Sequence, residues 1–131
     1  MKDQVTSIGQ LKRLIELGVP AEKASMVWEM DEDCARLKIW NTDKQTRRVL
    51  HNKYPNYYVP AFTVADLLIL LSDMAEKCGV SIRLHQEVGS ICYAVYVGDC
   101  LICPYGELPF VDMLVEAVIY LEPNYSKCYK S

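Results

Sequence analysis

Cys100-Leu101-Ile102-Cys103 has the spacing at which two thiolates can share a soft metal ion or cycle through a disulfide. Structural zinc needs four ligands in a tetrahedron, so a second cysteine or histidine pair must come from elsewhere. The chain has two histidines, His51 and His85. A metal reading therefore has to recruit His85 and Cys92 to join Cys100 and Cys103. A redox reading needs the motif at a helix N-terminus, where the dipole lowers the thiol pKa. Here the motif falls on an expected strand, which favours buried cysteines that act as small hydrophobes. His85 beside Cys92 could form a nucleophile pair, but no third group orients it. Glu29, Asp31, Glu32 and Asp33 could hold a divalent ion, yet the glycine and distal glutamate of a calcium loop are missing, so a solvated turn is expected. There is no Gly-x-Gly-x-x-Gly, phosphate loop, Gly-x-Ser-x-Gly or His-Glu-x-x-His. No catalytic residue and no cofactor is assigned, and the balance leans away from an enzyme.

A second constellation is basic. Residues 36–53 carry Arg36, Lys38, Lys44, Arg47, Arg48 and Lys53 against Asp43 alone, an excess of +5 in a chain whose net charge is −3. Trp40, Tyr54, Tyr57 and Tyr58 lie within or beside it. Cations neutralise phosphates and aromatic rings stack on bases, so Lys44, Arg47, Arg48, Lys53, Tyr57 and Tyr58 are the nucleic-acid candidates. The competing reading is a solvated hairpin whose lysines and arginines protect a sheet edge. Alternation of Ala35, Leu37 and Ile39 with Arg36 and Lys38 favours the latter.

The elements that must position these residues follow from periodicity and punctuation. Ser7-x-x-Gln10 has the form of a capping box ahead of a helix over 7–17, closed by Gly18 and Pro20. Pro20 opens a short helical turn through Ser25. Strands are expected at 26–30 and 34–40, and a weaker one at 44–51. Residues 52–62, with two prolines and three tyrosines, read as an irregular connection. Thr63-x-x-Asp66 again resembles a capping box, for a helix to about Lys77 that Gly79 ends. Strands follow near 82–85, 91–97 and 100–103, the last two joined at Gly98-Asp99. Pro109 begins a third helix over 110–121, and Pro123 stops it, leaving a loose tail over 123–131. The order αβββαβββα, with short turns between strands, predicts an α+β fold: one domain over 1–131, with a mainly antiparallel sheet of about six strands packed with three helices.

The third helix is apolar on more than one side. Phe110, Met113, Leu114, Ala117 and Leu121 make a core face, and Val111, Val115 and Ile119 form a second stripe. Either the rest of the chain covers that stripe, or a partner does, most simply a second copy in a homodimer.

At 131 residues and 51% hydrophobic composition, the chain can bury one substantial core and is not intrinsically disordered. Its negative charge argues against coating nucleic acid over its whole surface. No apolar run approaches the ~18 residues of a membrane span, and the first residues do not read as an export signal. A cytoplasmic protein with reduced thiols is expected.

Three segments carry a resemblance: Leu14-Ile15-Glu16-Leu17-Gly18-Val19-Pro20 with Ala24-Ser25-Met26-Val27-Trp28; Tyr58-Val59-Pro60-Ala61-Phe62 through Leu68; and Phe110 through Leu121. In this order they resemble a group of short uncharacterised proteins of gut Bacteroides-type bacteria, their phages and mobile elements. A tryptophan is more usual at Phe62, and a Trp-Leu pair at Tyr120-Leu121. The resemblance implies a cytoplasmic accessory protein, and it supplies no catalytic residue. The function expected from all this is a protein-interaction module, with a nucleic-acid-binding accessory protein as the alternative.

Overall fold

The computed structural model describes residues 5–86, 93–98, 100–103 and 110–130. The fold is α+β, with four helices and two antiparallel three-stranded sheets. The chain divides into two compact units, Met1–Asp66 and Leu67–Ser131.

In the first unit, α1 (Ile8–Glu16) begins at the expected capping box. The Ser7 hydroxyl accepts from the Gln10 backbone N–H at 3.1 Å, and the Gln10 side chain accepts from the Ser7 N–H at 2.9 Å. Gly18 takes a φ of +94°, and the Gly18 and Val19 N–H groups return to Ile15 and Leu14. That double return is the helix stop open to glycine at least steric cost. Leu11 and Leu14 are buried on the inner face. A single 3-10 turn at Ala21–Lys23 leads into β1 (Met26–Met30), which turns at Asp31–Cys34 into β2 (Ala35–Ile39). β1 is central, pairing antiparallel with β2 on one side and β3 (Tyr58–Ala61) on the other. Pro60 is tolerated in β3 because that strand is an edge. Just beyond it, Thr6 donates to the Phe62 carbonyl at 2.9 Å, and its hydroxyl accepts from the Phe62 N–H at 3.0 Å. The Thr6 carbonyl takes the Trp28 indole N–H at 3.1 Å, so this fully buried threonine joins three segments.

Residues 44–51 are not a strand. They belong to α2 (Lys44–Lys53), whose N-cap Asp43 accepts from the Thr46 N–H at 2.7 Å. No residue of α2 is buried, so no apolar stripe marks it as helix in the sequence. The connection at 52–62 is likewise more regular than expected, since it contains β3.

The second unit begins in the first turn of α3 (Val64–Cys78). The Thr63 and Asp66 side chains each accept from the other's backbone N–H, at 3.1 and 3.0 Å, as the sequence predicts. β4 (Ile82–Gln86), β5 (Tyr93–Val97) and β6 (Cys100–Cys103) form a meander, with Gly98 at φ +61° beginning the last turn. The sheet order β4-β5-β6 places Ile82, Leu84, Val95 and Val97 on one face. α4 (Phe110–Lys130) packs against β5 and β6. It continues past Pro123, where the sequence predicts a stop and a loose tail. A proline costs its own N–H and crowds the carbonyl four residues back, which a long helix survives as a local defect.

Five of the six expected strands are present and β3 is an unexpected sixth, and the strands form two sheets rather than one. The order is αββαβαβββα, because one expected strand is helix and one expected connection is strand. No helix among the described residues is long and apolar enough to cross a membrane.

Candidate functional site

The basic stretch is split by the fold. Arg36 and Lys38 lie on β2, while Lys44, Arg47, Arg48 and Lys53 lie on α2. Arg47 does not face outward to a ligand. Its Nε donates to the Thr42 carbonyl at 3.0 Å, Nη1 to the Ala24 and Glu22 carbonyls at 2.8 and 3.2 Å, and Nη2 to the Trp40 carbonyl at 3.0 Å. The guanidinium also lies 5.8 Å from the Trp40 ring centroid. A planar fork of five donors suits this convergence of carbonyls. Arg47 therefore ties α2 to the ends of β2 and of the 3-10 turn. Arg48 pairs with Glu22 at 2.9 Å. Lys53 sits 5.5 Å from the Tyr54 ring centroid. Tyr57 and Tyr58 meet edge to face, 4.7 Å between centroids, and Tyr54 meets Tyr58 at 6.3 Å. The tyrosines form a self-packed cluster with partial exposure instead of an open stacking ladder. His51 Nδ1 lies 3.0 Å from the Tyr58 carbonyl.

The other candidates disperse. His85 lies on β4 and the Cys100/Cys103 pair on β6, with β5 between them, so roughly 10 Å of sheet separates the two backbones. Cys92 lies outside the described residues. Among the described residues, no three His, Cys, Asp or Glu side chains are placed to hold a metal. On α4, Val111 and Val115 are buried within the chain and Ile119 is half-buried. Of the two readings of that stripe, coverage by the chain itself holds at Val111 and Val115.

What the periodicity of 34–40 conceals is the condition of β2. Cross-strand partners share a face, so Met26, Trp28 and Met30 lie with Ile39, Leu37 and Ala35 respectively. Over β1 that face is buried at Met26 and Trp28, which keep less than a tenth of their surface, and half-buried at Met30. Over β2 it is bare. Ala35 is exposed, Leu37 is half-buried and Ile39 is 76% exposed. The opposite face of β2 carries Arg36 and Lys38, both exposed. Lys38 pairs with Glu29 at 2.9 Å, with half of its side chain still open. A hydrogen bond with Cys34, and then the charges of Cys34, Asp31 and Glu29, raise the already high pKa of Arg36. Among the described residues β2 has one strand neighbour, β1, so its outer edge is paired with no other strand, although the Ile39 carbonyl accepts from the Asn41 N–H at 3.0 Å. Trp40, the next residue, is buried, and its indole N–H has no partner among the described residues.

A second feature lies wholly in the second unit. A groove of about 420 Å³ between α3 and β4 is lined by Leu68, Leu71, Ala75, Val80, Ile82 and Leu84, together with Ser72 and Glu76. Leu68, Val80 and Leu84 are each more than a third exposed, and Ile69 on the same helix is 70% exposed.

Comparison of the chain with protein-family models, curated proteins and solved structures finds no match.

Proposed function

We propose that this protein is a non-enzymatic protein-interaction module whose docking element is the free edge of β2. The observation that carries the reading is the 76% exposure of Ile39 on a strand whose alternating pattern is that of a half-buried one. An amphipathic strand with its apolar face uncovered is a surface prepared for a partner. The free, exposed Cys34 thiol suits a reducing compartment such as the cytoplasm. The resemblance to short proteins of phages and mobile elements suits an accessory role. A nucleic-acid role for α2 is the weaker reading, since Arg47 and Arg48 are engaged within the fold and Lys53 lies over a tyrosine.

The test compares immobilised protein with its Ile39→Glu variant in extract of the source cells, both shown to be folded by circular dichroism. At least one protein should be retained by the first and lost by the second. Identical sets of retained proteins would remove β2 as the docking element.

A further inference from the structure

We infer that β2 takes up an extended acidic segment of another protein, a strand in which carboxylates alternate with apolar side chains, added beside Ala35–Ile39. This deepens the interaction reading above and rests on it.

Three observations select that occupant. First, β2 is an edge, with β1 as its one strand neighbour among the described residues. A segment lying alongside it can satisfy its open N–H and C=O groups, which is how strand addition generates affinity independent of side chains. Second, the two faces of β2 ask for different things. Ala35, Leu37 and Ile39 present apolar surface on one side, and Arg36 and Lys38 present two cations on the other. Alternate residues of an added strand meet these two faces in turn. A segment with apolar residues at every second position and Glu or Asp between them covers the first face and pairs with the second. Third, the charges reject the simplest competitor, a second copy. In an antiparallel pair of β2 strands centred on Leu37, Arg36 of one copy stands opposite Lys38 of the other. Shifting by two residues sets Lys38 against Lys38 in one direction or Arg36 against Arg36 in the other, and shifting by one mixes charged with apolar side chains on a shared face. Like charges directly opposite are destabilising. Glu29 pairs with Lys38, and Asp31 and Glu29 act on Arg36, but half of the Lys38 side chain stays open and Arg36 is exposed, so both cations can still meet a partner's carboxylates.

The experiment uses two fluorescein-labelled octapeptides, one alternating Val with Glu and one alternating Val with Lys, titrated into the full chain at low ionic strength and followed by anisotropy. The Val/Glu peptide should bind and the Val/Lys peptide should not. Binding should weaken as salt is raised. The double variant Arg36→Glu/Lys38→Glu, folded by circular dichroism, should lose about tenfold or more for Val/Glu and gain for Val/Lys. A wild-type chain that ignores Val/Glu, or binds both peptides equally, overturns the inference without any variant being needed. So does binding of a twenty-nucleotide single-stranded DNA that displaces Val/Glu and survives the double substitution. If a partner from extract is lost on Ile39→Glu while neither peptide binds, the interaction reading stands and the acidic-strand chemistry falls.

Discussion

Two neighbouring arginines on one helix have opposite roles. Arg47 satisfies four backbone carbonyls, and hydrogen bonds to a charged group are the stronger kind. Replacing it by alanine leaves several part-buried acceptors unsatisfied, and Arg47→Ala should cost about 3 kcal/mol in urea denaturation. Arg47→Lys should recover only a minor part, since an ammonium lacks the planar fork. Arg48 forms an ion pair with more than half of its side chain exposed, so Arg48→Ala should shift stability by no more than about 0.5 kcal/mol. The sequence shows two adjacent basic residues and nothing to separate them. Their difference lies in which carbonyls the folded backbone brings to one point, a long-range fact that local pattern does not carry. Asp43 adds a pH dependence. Hydrogen bonding from Thr46 lowers its pKa below the ordinary 3.8. A carboxyl with a lowered native pKa contributes stability that is complete above its unfolded value and is lost as pH falls through the native one. Asparagine keeps the cap without the titration. The stability gap between wild type and Asp43→Asn should therefore be flat at neutral pH and move in favour of the variant below about 3.8, as followed by denaturation at a series of pH values.

At the scale of elements, legibility follows burial. α1 and α3 have apolar faces, capping boxes and glycine stops, and the sequence places both to within a residue or two. Gly79 takes a φ of +70° with open space around the missing Cβ, so Gly79→Ala should cost about 1 kcal/mol from backbone strain alone. α2 is invisible for the opposite reason: it buries nothing and is held by Asp43 and Arg47 rather than by a stripe. β3 is hidden by Pro60, which an edge position excuses. β2 is the instructive case. Its alternation identifies the strand correctly, but the inference that alternation means a covered face fails at Ile39. On the function proposed above, that failure is what marks β2 as the docking edge. One consequence can be measured. Lys38→Glu places opposite charges across a β2–β2 pair centred on Leu37, so the variant should dimerise more tightly than wild type in sedimentation equilibrium, and more weakly again as salt is raised.

Across the whole molecule, charge is unevenly divided. Residues 1–66 hold ten of the fourteen Lys and Arg against nine Asp and Glu, whereas residues 67–131 hold four against eight. A net charge of −3 therefore hides a first unit that is slightly basic. The basic excess over residues 36–53, already visible in the sequence, lies in this first unit. The apolar stripe of α4 was legible as a two-sided helix, and its burial at Val111 and Val115 turns that excess of hydrophobic residues toward the interior.

Trp40 follows β2 immediately after Ile39, with an arginine beside its ring and an indole nitrogen that has no hydrogen-bond partner among the described residues. Indole emission responds to nearby charge and to the polarity around that nitrogen. The chain has one other tryptophan, Trp28, which is already buried and bonded to Thr6. If a partner strand joins β2 as proposed, the emission of this one ring should change colour while that of Trp28 stays fixed, an optical gauge of occupancy built into the chain.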